Sequence, residues 1–127
     1  GHGGNASALT AAVGTLQLED RHVLSWWPKW PQRADGGAKD LHAGRIETSL
    51  MLAIDPGLVR LELAELGADA DIEELQRVGV QAVSASGVLG DPTGASGGEG
   101  DQFITSFVND LVHAIEAWRP IDPTPLG

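Results

Sequence analysis

A chain of 127 residues, 42% of them hydrophobic, is long enough for one domain with a core, and it carries 8 basic against 18 acidic residues, a net charge of -10. That balance excludes the clustered Lys and Arg of a phosphate grip, and with it a nucleic-acid partner. No cysteine is present, so disulfides and thiolate zinc sites are excluded, and any metal must be held by carboxylates and by His2, His22, His42 or His113.

The elements read as those of an α/β protein. After an opening GHGGN, the apolar residues Leu9, Ala12, Val13 and Leu16 recur at helical spacing and predict a helix over 6–16. A glycine-rich turn running into a helix leaves N–H groups that can face an anion or a polarised oxygen. Residues 21–27 are partly β-branched and aromatic and predict a strand; Pro28, Pro31 and the Asp35-Gly36-Gly37 cluster then predict a loop over 28–41. The stretch AGRIETSLMLAI, 43–54, predicts a helix with Ile46, Leu50, Ala53 and Ile54 on one face, stopped by Asp55-Pro56-Gly57.

A short strand is expected at 58–63, a small helix at 71–77, and a β-prone segment at 78–83. Residues 84–100, SASGVLGDPTGASGGEG, predict a long loop, which in a compact domain is usually functional or mobile. Over 101–119, Ile104, Phe107, Val108, Leu111, Ile115 and Trp118 repeat at helical spacing and predict a helix packed on a sheet. A parallel sheet with crossover helices needs more strands than the two or three found here, so further strands are expected upstream. No apolar run approaches the roughly 18 residues of a membrane span and no charged-then-apolar leader opens the chain. The expectation is a soluble, cytoplasmic protein without a membrane partner.

Three motifs, GHGGN at 1–5, HAGRIETSLML at 42–52 and GVLGDPTGAS at 87–96, occur in the order and with the separations that resemble the creatininase family of metal-dependent amidohydrolases. The wording of the second and third is most similar to the mycofactocin-system branch of that family. The resemblance implies an α/β/α layered fold with a mainly parallel sheet, of which residues 1–127 would be the C-terminal part of a single domain. In the family a strand and an asparagine precede the first motif, and a Glu-x-His pair and an Asp that bind metal lie much earlier. The chain is therefore expected to be the C-terminal half of a protein about twice as long. A tag remnant at Gly1-His2 is the alternative, against which Gly3-Gly4-Asn5 continue the family pattern.

The resemblance also assigns residues. His2 matches a metal ligand, for Zn²⁺, Fe²⁺ or Mn²⁺ in one or two sites, against the bland reading of a solvated terminal histidine. Gly3 and Asn5 match backbone that approaches the substrate, or an ordinary turn. Gly4 stands where creatininase has a carboxylate ligand, which leaves the second metal site one ligand short. Glu47 is the candidate replacement, as ligand or as partner of the attacking water; its default reading is a dipole-favoured group in a first helical turn. His42 resembles the proton donor, against an N-cap or surface histidine.

Five residues of helix separate two side chains by about 140°, so His42 and Glu47 can face one pocket only if His42 precedes the helix. Trp27 matches a substrate-flanking tryptophan or is core; Trp26 and Trp30 carry less of that signal. His22 and His113 match no motif and read as structural, and Asp91 reads as a cap or holder of its own loop, or else as part of a subunit contact or of the site rim. The chemistry implied is metal-assisted hydrolysis of an amide C–N bond. The substrate is a modified peptide that loses a C-terminal Val-Tyr-derived piece, or, alternatively, creatinine or another small cyclic or formyl amide. The family is often hexameric, so a homo-oligomer is expected. A non-catalytic binding module that kept the pocket glycines and lost its metal is the reading from another class.

Overall fold

The computed structural model describes residues 3–30 and 40–118. They fall into two compact units, one containing 3–30 and 107–118, the other 40–106.

In the first unit a turn of 3-10 helix, Gly3–Asn5, leads into α1, Ala6–Leu18. Ala and Leu supply the helix propensity, and the hydroxyls of Thr10 and Thr15 bond back to the carbonyls of Ala6 and Ala11. The helix stops in a Schellman motif: Arg21 N–H bonds Leu16 C=O at 2.9 Å and Asp20 N–H bonds Gln17 C=O at 3.1 Å. Asp20 takes the left-handed position at φ 55°.

Residues 21–30 follow as an irregular stretch and not as the predicted strand. They are held by side chains. Trp26 Nε1 donates to Asp110 Oδ2 at 2.9 Å, Lys29 Nζ donates to Asp110 Oδ1 at 2.9 Å, and Trp30 packs edge-on against Phe107 with ring centroids 5.7 Å apart. Asp110 and Phe107 belong to α5, Gly97–Ala117.

The second unit begins with the approach to α2, Arg45–Ile54. The expected stop operates as read: Asp55 accepts from Gly57 N–H at 3.0 Å, and Pro56 opens a 3-10 turn, Pro56–Leu58. The expected strand at 58–63 is replaced by that turn and a second one, Leu61–Leu63. Asp71 caps α3, Ile72–Val78, by accepting from Glu74 N–H at 2.8 Å, with Glu73 and Glu74 in the first turn and Arg77 in the last. Gly79, at φ 79°, separates α3 from the short α4, Val80–Val83, so the β-prone 78–83 is helical. Residues 84–96 are irregular as predicted, and α5 starts at Gly97, four residues ahead of expectation.

The interior of this unit is small. Ile46, Ala70, Leu89 and Ala95 are the buried apolar residues, with Ser49 and Ser84 buried beside them. Ile54, expected on one apolar face with Ile46, Leu50 and Ala53, is 67% exposed. Gly100 lets α5 approach α2 closely: a β-carbon there would strike the main-chain carbonyl of Ser49.

The α/β/α expectation is corrected for the described residues, which are mostly helical and form no strand. The sole sheet-like feature among them is one antiparallel bridge, His42 to Leu89. A β-prone segment becomes a strand only when a neighbouring chain accepts and donates along its length. Residues 21–27, 58–63 and 78–83 meet no such neighbour among the described residues, and the last two satisfy their main chain in local turns. Likewise, α5 meets α2 at Gly100 and no described sheet. Among the described residues no helix is long and apolar enough to cross a membrane.

Candidate functional site

His42, Ala43 and Gly44 precede α2, and the chain reverses there because Ala43 adopts φ 51°. The condition set by helical geometry is thereby met, and His42 Nδ1 lies 3.8 Å from Glu47 Oε2. Both side chains are about half exposed, so a solute can reach them. Glu47 Oε2 also accepts from Ala43 N–H at 2.6 Å. This is a variant of the capping box, in which a glutamate in the first turn reaches back to the main chain ahead of the helix.

The third motif forms the wall behind His42. Leu89, 1% exposed, donates its N–H to His42 C=O at 2.8 Å and accepts from Leu41 and His42 N–H at 2.8 and 3.2 Å. The carbonyls of Val88 and Gly90 accept from Ala68 and Gly67 N–H. Two segments that share no local signal are therefore held together through main-chain hydrogen bonds.

Three groups in this region were not singled out by the sequence reading. Asp40 Oδ2 accepts from Ile46 N–H at 2.7 Å, capping α2 from four residues before its N-cap. Arg45 Nε bonds both oxygens of Glu99, at 3.0 and 2.7 Å. Ser49 Oγ, fully buried, donates to Glu99 Oε2 at 3.0 Å and accepts from Ser96 N–H at 3.1 Å. A signal for part of this exists in the letters: Ser96-x-x-Glu99 is a capping box, and Ser96 Oγ does accept from Glu99 N–H at 3.2 Å. The glutamate, however, turns to Arg45 and Ser49, and the Ser49 hydroxyl serves the Ser96 N–H in its place.

The other expected site residues are placed as follows. His2 lies outside the described residues. Gly3 and Asn5 form the 3-10 turn ahead of α1, where Asn5 occupies the N-cap without a side-chain cap bond. Trp27 belongs to the same unit and is 36% exposed. Trp26 and Trp30 are engaged with Asp110 and Phe107. His22 and His113 are exposed, and Asp91 accepts from both Thr93 N–H and Thr93 Oγ1, holding its own loop.

A metal of the kind the motifs imply would find an imidazole and a carboxylate here, the donor types that zinc, iron and manganese accept. Glu47 Oε2 is committed to Ala43 N–H, and Oε1 makes no hydrogen bond among the described residues. Among those residues no three His, Asp or Glu side chains gather into a ligand cluster. Glu47 thus fits as one ligand of a site, not as a site by itself.

The sequence pattern of the creatininase family, described as creatinine amidohydrolase, matches residues 1–115. The chain belongs to that family. This creatininase-family chain is 44% identical over 124 residues to a mycofactocin precursor peptide peptidase of Mycobacterium tuberculosis (strain CDC 1551 / Oshkosh), covering 94% of the chain and 47% of the relative. Proteins of the same name from Mycobacterium ulcerans and Mycolicibacterium smegmatis are 41% and 40% identical over the same share of the chain, covering 47% and 48% of their lengths. The chain therefore spans about half the length of the curated relatives it matches. No solved structure matches it significantly.

Proposed function

We propose that this chain carries part of the active site of a metal-dependent hydrolase that cleaves an amide C–N bond in a modified peptide, the mycofactocin precursor, and releases its C-terminal Val-Tyr-derived piece. The observation that supports the reading most directly is the His42–Glu47 pair, 3.8 Å apart and accessible, inside a family motif. Similarity to peptidases of the mycofactocin precursor supports the substrate class.

In this reading Glu47 and His2 are the residues that would hold a divalent ion, Zn²⁺, Fe²⁺ or Mn²⁺. Such an ion, when bound, would polarise the scissile carbonyl and lower the pKa of a water. His42 keeps Nδ1 toward the Glu47 carboxylate, 3.8 Å away. Nε2 is then the atom that hands a proton to the departing nitrogen as the C–N bond breaks and water adds to the carbonyl carbon. Trp27, Gly3 and Asn5 contribute substrate contacts. The protein works in the cytoplasm as a homo-oligomer.

The family description, creatinine amidohydrolase, supports a second reading in which the substrate is creatinine or another small cyclic or formyl amide. Peptide hydrolysis by the protein in its natural full length, assayed with and without a chelator, tests the reading. Release of a C-terminal dipeptide-sized product that stops on chelation and returns with added metal is expected. Hydrolysis of creatinine or a formyl amide, with the peptide left intact, would favour the second substrate. Peptide cleavage indifferent to chelation would remove the metal from the mechanism.

A further inference from the structure

Gly44 is a glycine without a conformational reason to be one. Its φ of -88° and ψ of -153° are extended backbone that does not require glycine. A β-carbon built there would fall on the carboxylate of Asp40, so any larger residue requires that carboxylate to move. Asp40 commits Oδ2 to Ile46 N–H at 2.7 Å, one of the donors a helix start leaves without a main-chain partner. Its Oδ1 faces Gly90, where a β-carbon would come within 3.2 Å and where φ is 149°. One carboxylate is therefore seated at the point where the His42-Ala43-Gly44 turn, the start of α2 and the Val88–Gly90 segment converge.

That turn contains Ala43 at φ 51°. A non-glycine residue persists in the left-handed region only when its surroundings over-determine it. The main-chain bonds of Leu41 and His42 to Leu89 fix one end of the turn, and Asp40 with Ile46 fixes the other. We infer that Asp40 is a positioning residue for His42: its carboxylate, seated against Gly44 between the start of α2 and Gly90, holds the 40–44 turn in the one conformation that brings His42 Nδ1 beside Glu47. The inference rests on the reading of His42 and Glu47 as the working pair. It assigns Gly44 a role as well, that of leaving room for the carboxylate.

The test compares Asp40→Ala, Asp40→Asn, Gly44→Ala and the double variant Asp40→Ala/Gly44→Ala in the full chain. Two readouts are used, amide hydrogen exchange at Ala43 and Ile46 by NMR and, in the natural full-length protein, kcat and KM for the peptide. Asp40→Ala and Gly44→Ala are each expected to speed exchange at Ala43 by tenfold or more. Each should also lower kcat by about 10–100-fold with KM within about threefold, because a small misplacement of the acid acts on turnover more than on binding. The double variant should be no worse than the worse single one, since the added methyl collides only with a carboxylate that is no longer there. Asp40→Asn keeps the shape and an acceptor oxygen, and should stay within about threefold of the parent in both readouts.

Effects that multiply in the double variant, or unchanged Ala43 exchange in both single variants, would overturn the inference. If circular dichroism shows that Asp40→Ala does not fold, Gly44→Ala and Asp40→Asn decide by the same thresholds. Should the parent hydrolyse neither peptide nor small amide, the functional reading fails, and the exchange pattern alone still decides the role of Asp40.

Discussion

Ser49 and Glu99 lie 50 residues apart in sequence and 3.0 Å apart in space, and through them α2 and α5 share a single hydrogen-bond relay. The relay runs from Ser96 N–H to Ser49 Oγ, from Ser49 Oγ to Glu99, and from Arg45 Nε to the same carboxylate. Ser49 is fully buried and its neighbour Gly100 leaves no room for adjustment, so each partner is fixed by the other two. The consequence for the site is that α2, which carries Glu47, is held at its first turn by the segment that follows the third motif.

Ser49→Ala removes the buried hydroxyl that links Ser96 N–H to the Glu99 carboxylate. The bond to the Glu99 carboxylate and the bond from Ser96 N–H are both lost, and a net loss of about 1–3 kcal/mol in urea unfolding is expected. A loss below about 0.5 kcal/mol would show that water replaces the hydroxyl.

His42→Ala in the full-length protein is expected to retain bound metal and lose turnover by about 10²–10⁴-fold, the range for a general acid. Metal content by elemental analysis, measured beside kcat, separates the two roles. Metal lost in step with activity would make His42 a ligand instead.

Glu47→Gln preserves size and removes the charge. In the proposed reading Glu47, the acidic residue of the second motif, is the group that would help neutralise a dication. Metal affinity and rate should each fall by about 10–100-fold or more, while His22→Ala and His113→Ala leave both within about twofold of the parent, as expected of exposed groups away from the motifs. Full metal occupancy with more than half the activity in Glu47→Gln would reduce Glu47 to a helix-start residue.

Asp110 should give the first unit an acid-sensitive contact. The hydrogen bond from Lys29 and then that from Trp26 hold its carboxyl below the ordinary carboxylate pKa, against a smaller opposing effect of desolvation. A carboxylate whose pKa is depressed by folding stabilises the folded state above its unfolded pKa, near 3.9, and that contribution is lost as pH falls through the lower folded value. Asp110→Asn should therefore be less stable than the parent at pH 5–8, with the difference closing below about pH 4. Intrinsic fluorescence, recorded in a Trp27→Phe/Trp30→Phe/Trp118→Phe background so that Trp26 alone reports, should shift over the same acid interval. A difference that persists at pH 2 would mean that Asp110 acts through packing and not through charge.

The sequence by itself determined what depends on near neighbours. Asp55-Pro56-Gly57 ends α2, Asp71 caps α3, and apolar spacing marks α1, α2 and α5, because caps, turns and helical hydrogen bonds close within four or five residues. The three motifs, and with them the family, were equally legible in order and wording. Only the tertiary structure decided what depends on a distant partner. Residues 78–83 have the composition of a strand and form helical turns, since no neighbouring segment among the described residues supplies the ladder a strand requires. Ser96-x-x-Glu99 spells a capping box, yet Arg45 draws the glutamate elsewhere, because a charged acceptor bonds a guanidinium more strongly than a neutral amide. The glycine at 44 gives no local sign of its cause; that cause is a carboxylate seated where its β-carbon would be, and only the folded turn puts it there.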